Sequence, residues 1–191
     1  IHISQIDYVV ESSNMPLPTI PDVPPNETEQ KIAEHIIERL YNGNCIQLGI
    51  GGIPNAMGAM IAQSDLKDLG VHTEMYVDAY VKMTKAGKIT GACKNIDKYK
   101  QTFSFAMGTK ELYDFIDDNP GVIAYSVDYT NSPVVVAGID DFVSINACIE
   151  VDIFGQVASE SVGHRHISGT GGQLDFVEGA YKSKNGQSFI C

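Results

Sequence analysis

The chain predicts an α/β domain, a mixed open sheet with flanking helices. Three observations carry that expectation. From Cys45 onward, short apolar strand segments alternate with stripes of apolar residues at helical spacing. From Val122 the pattern turns strand-rich, with apolar or alternating runs at Val122–Val127, Val134–Ala137, Phe142–Ile145 and Cys148–Ile153. Two glycine-rich loops, around Gly49–Gly52 and Gly169–Gly172, are of the kind that meet at the carboxyl ends of strands in such sheets.

The elements follow in order. Ile3–Val10 alternates partly like a strand. Met15–Pro25 holds Pro16, Pro18, Pro21, Pro24 and Pro25, and reads as an extended, semi-rigid linker. The expected division is therefore a linker over residues 1–25 and a compact domain over 26–191. Asn26 with Glu29 three positions on is a capping box, and Ile32, Ile36, Ile37 and Leu40 give the helix behind it one apolar face, ended by Gly43. Cys45–Leu48 is a strand. Pro54 suits the first turn of a helix whose buried side is Ala56, Met57, Met60 and Ile61. Val71–Tyr76 is the next strand, followed by a helix over Val77–Ala86 that Gly87 stops. Thr102–Met107 is a third strand, and Gly108-Thr109 opens a helix ended by Asn119-Pro120. Phe154-Gly155 is a tight turn between Cys148–Ile153 and Gln156–Ser159, making a hairpin.

At 191 residues, with 43% hydrophobic and 19% charged side chains, the chain can bury a substantial core. No apolar stretch has the length of a membrane span. The chain starts with Ile rather than Met and lacks a signal-peptide pattern, so it reads as part of something longer. Cys45, Cys93, Cys148 and Cys191 are scattered, which points to free thiols in a reducing, cytoplasmic setting. A net charge of −11 argues against a general nucleic-acid binder. Seven of the 13 basic residues (Lys82, Lys85, Lys88, Lys94, Lys98, Lys100 and Lys110) nevertheless cluster in sequence. That island is either a solvated face or a focus for a polyanionic ligand.

The first glycine loop lacks both the G-x-G-x-x-G dinucleotide spacing and the P-loop Gly-Lys-Ser/Thr. It remains suited to a carboxylate, an oxyanion or a phosphate, or simply to a tight turn. The second loop, Ser168–Phe176, also misses the dinucleotide spacing. Glu74, at the end of the Val71 strand, is either a strand-end carboxylate pairing locally or a desolvated nucleophile. In the second case backbone donors from Ile50, Gly51, Gly52, Gly169, Gly171 and Gly172 are candidates for the oxyanion site. His164, His166 and Glu160 resemble part of a metal site without a convincing further ligand, so no metal is expected.

Five blocks in order carry a resemblance: Leu48–Ala56, Gly70–Met75, Met107–Tyr113, Val143–Asn146 and Ser168–Phe176. Together they resemble the C-terminal domain of the acetyl-CoA hydrolase/transferase family, nearest its 4-hydroxybutyrate CoA-transferases and then its butyryl-CoA:acetate CoA-transferases. The resemblance implies a CoA-transferase-like fold, which sugar-phosphate isomerases share in its wider form. It implies CoA transfer between an acyl-CoA and a short-chain carboxylate of the 4-hydroxybutyrate, butyrate or acetate type. The same glutamate serves as nucleophile if water is the acceptor, and a non-catalytic CoA-binding module is a third possibility. Glu74 matches the family's nucleophile, and the resemblance implies oxyanion donors from backbone N–H groups near Ile50-Gly51 and near Gly169 in the second loop. No cofactor is implied, coenzyme A being a substrate. Expected partners are an acyl-CoA, a small carboxylate, an N-terminal domain of similar fold and further copies of the chain, with no nucleic acid and no membrane. In the family the active site lies between the two domains, and the C-terminal domain continues beyond the equivalent of Cys191.

Overall fold

The computed structural model describes residues 3–13 and 15–191. Asn26 caps the first helix, α1 (Glu27–Ile37): its side chain accepts from Glu29 N at 3.0 Å, and Glu29 Oε2 accepts from Asn26 N at 2.7 Å. The capping box read from the sequence is thus complete. Ile36 and Leu40 enter the core from this face, and a turn through Gly43, at φ +89°, leads into strand β1 (Cys45–Leu48). There follow α2 (Gly52–Gln63), β2 (Gly70–His72), β3 (Met75–Tyr76), α3 (Asp78–Lys85), β4 (Gln101–Phe103), β5 (Phe105–Ala106) and α4 (Lys110–Ile116). The second half adds β6 (Val122–Ala124), α5 (Val127–Thr130), α6 (Pro133–Ala137) and β7 (Phe142–Asn146). The short strands β8 (Glu150–Val151), β9 (Val157–Ala158), β10 (Ser161–Val162) and β11 (Arg165–His166) precede α7 (Gln173–Lys182) and β12 (Gln187–Ile190).

Among the described residues, six strands form the main sheet in the order β12-β7-β1-β2-β4-β6, parallel at every pairing. Antiparallel pairing is confined to the β8–β9 and β10–β11 ribbons. The chain builds outward from β1 through β2, β4 and β6, then crosses back to lay β7 on the other side of β1. That reversal makes a switch point, and in open parallel sheets ligands bind at the strands' carboxyl ends there. Ile46, Leu48, Val71, Val143 and Ile145 are buried in the sheet, as strands covered on both faces require.

Several segments differ from expectation, each for a local reason. The Ile3–Val10 segment forms a 3₁₀ turn at Ile3–Gln5 and no strand. The linker is not detached, because its second half straps the domain. Ile20 N donates to Gly108 O (3.0 Å), Tyr113 Oη to Pro18 O (2.7 Å) and Asn55 Nδ2 to Val23 O (3.2 Å). The valine run 134–137 is helical rather than extended, since Ser132 accepts from Val135 N at 3.4 Å and Pro133 occupies the first turn. The expected single strands 71–76 and 102–107 are each split in two.

Lys94 is buried beneath the sheet. Its ammonium donates to Val71 O (2.8 Å), Lys100 O (2.7 Å) and Thr102 Oγ1 (3.2 Å), so all three protons are used. Burial lowers its pKa from the ordinary lysine value. The stem of the side chain leans on Gly70, where a Cβ would come within 2.6 Å of Lys94 Cγ. Lys94→Met keeps the stem but strands those acceptors, and is expected to lower unfolding free energy by about 3 kcal/mol in denaturant titrations.

Candidate active site

Glu74 sits where the chain changes ladders. Thr73 N still donates to Thr102 O (2.9 Å). The Glu74 carbonyl then accepts from both Ser104 N (2.9 Å) and Phe105 N (3.1 Å). Beyond this point β3 pairs with β5, outside the main sheet. The break leaves the Glu74 side chain half-buried at the carboxyl end of β2, beside the switch point.

One expected donor meets it. Gly172 N donates to Glu74 Oε2 at 3.1 Å, across 98 positions of sequence. Gly172 is buried and immediately precedes α7, whose first turn closes with Phe176 N donating to Gly172 O at 3.2 Å. A Cβ on Gly172 would lie 2.4 Å from Glu74 Oε2 and 2.3 Å from Asn131 Nδ2. A side chain there would have to push the Glu74 carboxylate and the Asn131 amide aside, a constraint of close approach and not of backbone angle.

The same contact identifies a residue that sequence reading missed. Asn131 is buried at the end of α5, and its Oδ1 accepts from Thr130 Oγ1 at 3.0 Å. That bond turns the Nδ2 side of the amide toward the Gly172–Glu74 pair. A lone Asn between the runs Val122–Val127 and Val134–Ala137 carries no pattern in the sequence, so only the spatial neighbourhood reveals it.

The remaining candidates lie elsewhere. No hydrogen bond joins Ile50, Gly51 or Gly52 to Glu74 among the described residues. This loop lines a cavity of about 180 Å³ together with the Ile20–Pro24 strap, Asp78 and Met107. Gly51 has φ +116°, whereas a Cβ on Gly52 would come within 2.1 Å of the Glu29 carboxylate and push it off the α1 cap. Gly169 and Gly171 are exposed and line a cavity of about 760 Å³ with Ser159, Glu160, Thr170 and Asp175. His164 and His166 are exposed, and Glu160 uses its carbonyl to accept from Ile167 N and Ser168 N.

The lysine island does not form one patch. Lys82 pairs with Asp22 (2.7 Å), Lys85 with Glu111 (2.5 Å) and Lys110 with Asp114 (2.6 Å). Lys88 donates to Ser64 O and Lys100 to Pro120 O, while Lys94 is internal. Six of the seven are thus engaged locally, Lys85 and Lys110 lining one hollow together with the Glu111 and Asp114 that pair with them.

A carboxylate that accepts from a main-chain N–H at the switch point of a parallel sheet, with a buried amide close to the same glycine, is suited to covalent acyl transfer. The chain belongs to the acetyl-CoA hydrolase/transferase family. The model of the acetyl-CoA hydrolase/transferase C-terminal domain matches residues 108–191. A probable butyrate:acetyl-CoA coenzyme A-transferase of Syntrophomonas wolfei is 75% identical over 191 residues, covering 100% of this chain and 43% of that protein. The 4-hydroxybutyrate coenzyme A transferase of Clostridium kluyveri is 45% identical over 193 residues, covering 100% of this chain and 44% of that protein. Between these two, identity favours the butyrate enzyme, reversing the order implied by the motif blocks. The crystal structure of RipA from Yersinia pestis superposes with a TM-score of 0.89 at 38% identity, over 100% of this chain and 42% of that one. The chain spans less than half the length of these relatives.

Two outcomes check the site. Gly172→Ala is expected to lower turnover of the full-length protein by about 10²-fold through displacement of Glu74 and its donors, measured by steady-state kinetics. Reversing the charge of Lys85 and Lys88 together is expected to leave coenzyme A affinity within about twofold at physiological salt, measured by calorimetry.

Proposed function

We propose that this chain bears the nucleophile of a CoA-transferase that moves CoA between an acyl-CoA and a short-chain carboxylate, with Glu74 forming a glutamyl-CoA thioester. The observation that carries this reading is the 3.1 Å hydrogen bond from Gly172 N to Glu74 Oε2, with Asn131 Nδ2 beside the same pair. The high identity to a butyrate:acetyl-CoA coenzyme A-transferase supports butyrate and acetate as the substrate class. The active site is completed by an N-terminal domain, as in the family.

The donors distinguish the two carboxylate oxygens. Oε1, the oxygen without the Gly172 bond, attacks the acyl carbon of the thioester. The C–S bond breaks, coenzyme A leaves as thiolate, and an acyl-glutamyl anhydride remains. The thiolate then adds to Glu74 Cδ, and the displaced electron pair collects on Oε2, where the Gly172 N–H and the Asn131 amide receive the charge. Collapse breaks the Cδ–Oε1 bond and releases the first carboxylate, which carries Oε1 away. An acceptor carboxylate reverses these steps and leaves one of its own oxygens on Glu74. The bond from Gly172 also stabilises the resting carboxylate, so its catalytic contribution is only the part that strengthens as Oε2 takes the full charge.

Water competes for the anhydride and the thioester. Glu74 is half-exposed in this chain, so hydrolysis of acyl-CoA by the same residue is the second reading, and closure of the site decides between them. Full-length protein incubated with butyryl-CoA and no acceptor is expected to gain a CoA-sized mass on the peptide holding Glu74. Glu74→Ala is expected to lose that adduct and at least ~10³-fold of activity. Adding acetate is expected to yield acetyl-CoA. An adduct on another residue, or retained activity in the alanine variant, overturns the assignment.

A further inference from the structure

We propose that His72 is a positioning residue that holds both donors in place around Glu74, a role that rests on the reading of Glu74 as nucleophile. His72 is wholly buried and lies two residues before Glu74 on the same strand end. Its Nε2 stands 2.8 Å from the Thr130 carbonyl oxygen. A carbonyl oxygen only accepts, so Nε2 carries the proton and Nδ1 keeps its lone pair. That Nδ1 is buried and has no hydrogen-bond partner among the described residues.

The unpaired nitrogen is informative. A buried acceptor without a partner is a standing penalty that phenylalanine would avoid at the same place. The surroundings are otherwise those of a ring: Tyr129 at 6.1 Å, Phe142 at 6.3 Å and Phe176 at 6.5 Å between centroids. The imidazole is therefore set apart from a phenyl ring by the one bond it makes, to Thr130.

Two of its contacts, the Thr130 bond and the Phe176 ring, lead to the donors. Thr130 immediately precedes Asn131 and also orients that amide through its hydroxyl. Phe176, packed edge-on against the imidazole at 65°, belongs to the α7 turn that starts at Gly172, whose carbonyl accepts from Phe176 N. One rigid ring thus spans from the nucleophile's own strand to the Asn131 turn on one side and to the Gly172 turn on the other. Burial also lowers the His72 pKa to about 4, which keeps the ring neutral and its donor in the required form near neutral pH.

The test compares His72→Phe and His72→Gln in the full-length protein. The phenyl ring keeps the packing and loses the bond, whereas the glutamine amide nitrogen reaches where imidazole Nε2 stands. His72→Phe is expected to reduce kcat by at least ~10-fold while the KM for acyl-CoA stays within about threefold, because misplaced donors weaken the transition state more than substrate binding. The rate of CoA adduct formation on Glu74 falls in parallel, and His72→Gln recovers most of the loss. The nitrogen-15 spectrum of the wild-type ring is expected to report a proton on Nε2. An unchanged kcat in folded His72→Phe, a glutamine variant no better than phenylalanine, or a proton on Nδ1 overturns the proposal. Should His72→Phe not fold, the glutamine variant and the ring spectrum decide. Absence of a Glu74 adduct in wild type overturns the nucleophile reading and this role with it. An adduct formed by His72→Phe at the wild-type rate overturns this role alone.

Discussion

The strand that leads to Glu74 leaves the main sheet without leaving its backbone polar groups unpaired, and the site depends on how it does so. At Glu74 a single carbonyl takes the N–H groups of Ser104 and Phe105, bridging the end of the β2–β4 ladder and the start of the β3–β5 ladder. A strand continuing in register would place side chains alternately into the two covered faces of the sheet. The break instead delivers one carboxylate to the crevice at the strands' carboxyl ends. Since backbone groups buried there must find partners, the double acceptance is what makes the exit tolerable.

Around that carboxylate the fold gathers groups from distant parts of the chain. Gly172 comes from the entrance to α7 and Asn131 from the end of α5. Their meeting depends on the crossover that returns the chain from β6 to β7, because α6 and α7 pack together over that side of the sheet. Val136 lies against Gly179 so closely that a Cβ there would come within 2.5 Å. Tight helix packing is thus the physical means by which the Gly172 amide is set against Glu74.

Charged residues that stand out in the sequence are used differently from what their clustering suggests. Lys94 spends its ammonium on two carbonyls and a hydroxyl, and the other paired lysines serve local carboxylates or carbonyls. The first glycine loop likewise answers in part to packing, with Gly52 yielding room to the carboxylate of Glu29. That carboxylate completes the cap of α1, so one acidic residue links two features that read as independent in the sequence.

Local physics was legible from the residues alone. The capping box at Asn26, the strands at Cys45 and Phe142, the Phe154-Gly155 turn and the position of Glu74 at a strand end each rest on interactions within a few positions. The helical valines at 134–137 were legible too, through Ser132 and Pro133, but β-branched composition outweighed the cap. Helix α7 was obscured by the glycines that precede it and by a stripe that only Phe176 and Ala180 anchor deeply. What tertiary structure decided was which glycine donates to the carboxylate and which amide lies close to that glycine. Neither the 98-residue reach from Glu74 to Gly172 nor the Thr130 contact that orients Asn131 leaves a periodic trace, because both arise from helices docking on the sheet rather than from neighbours along the chain.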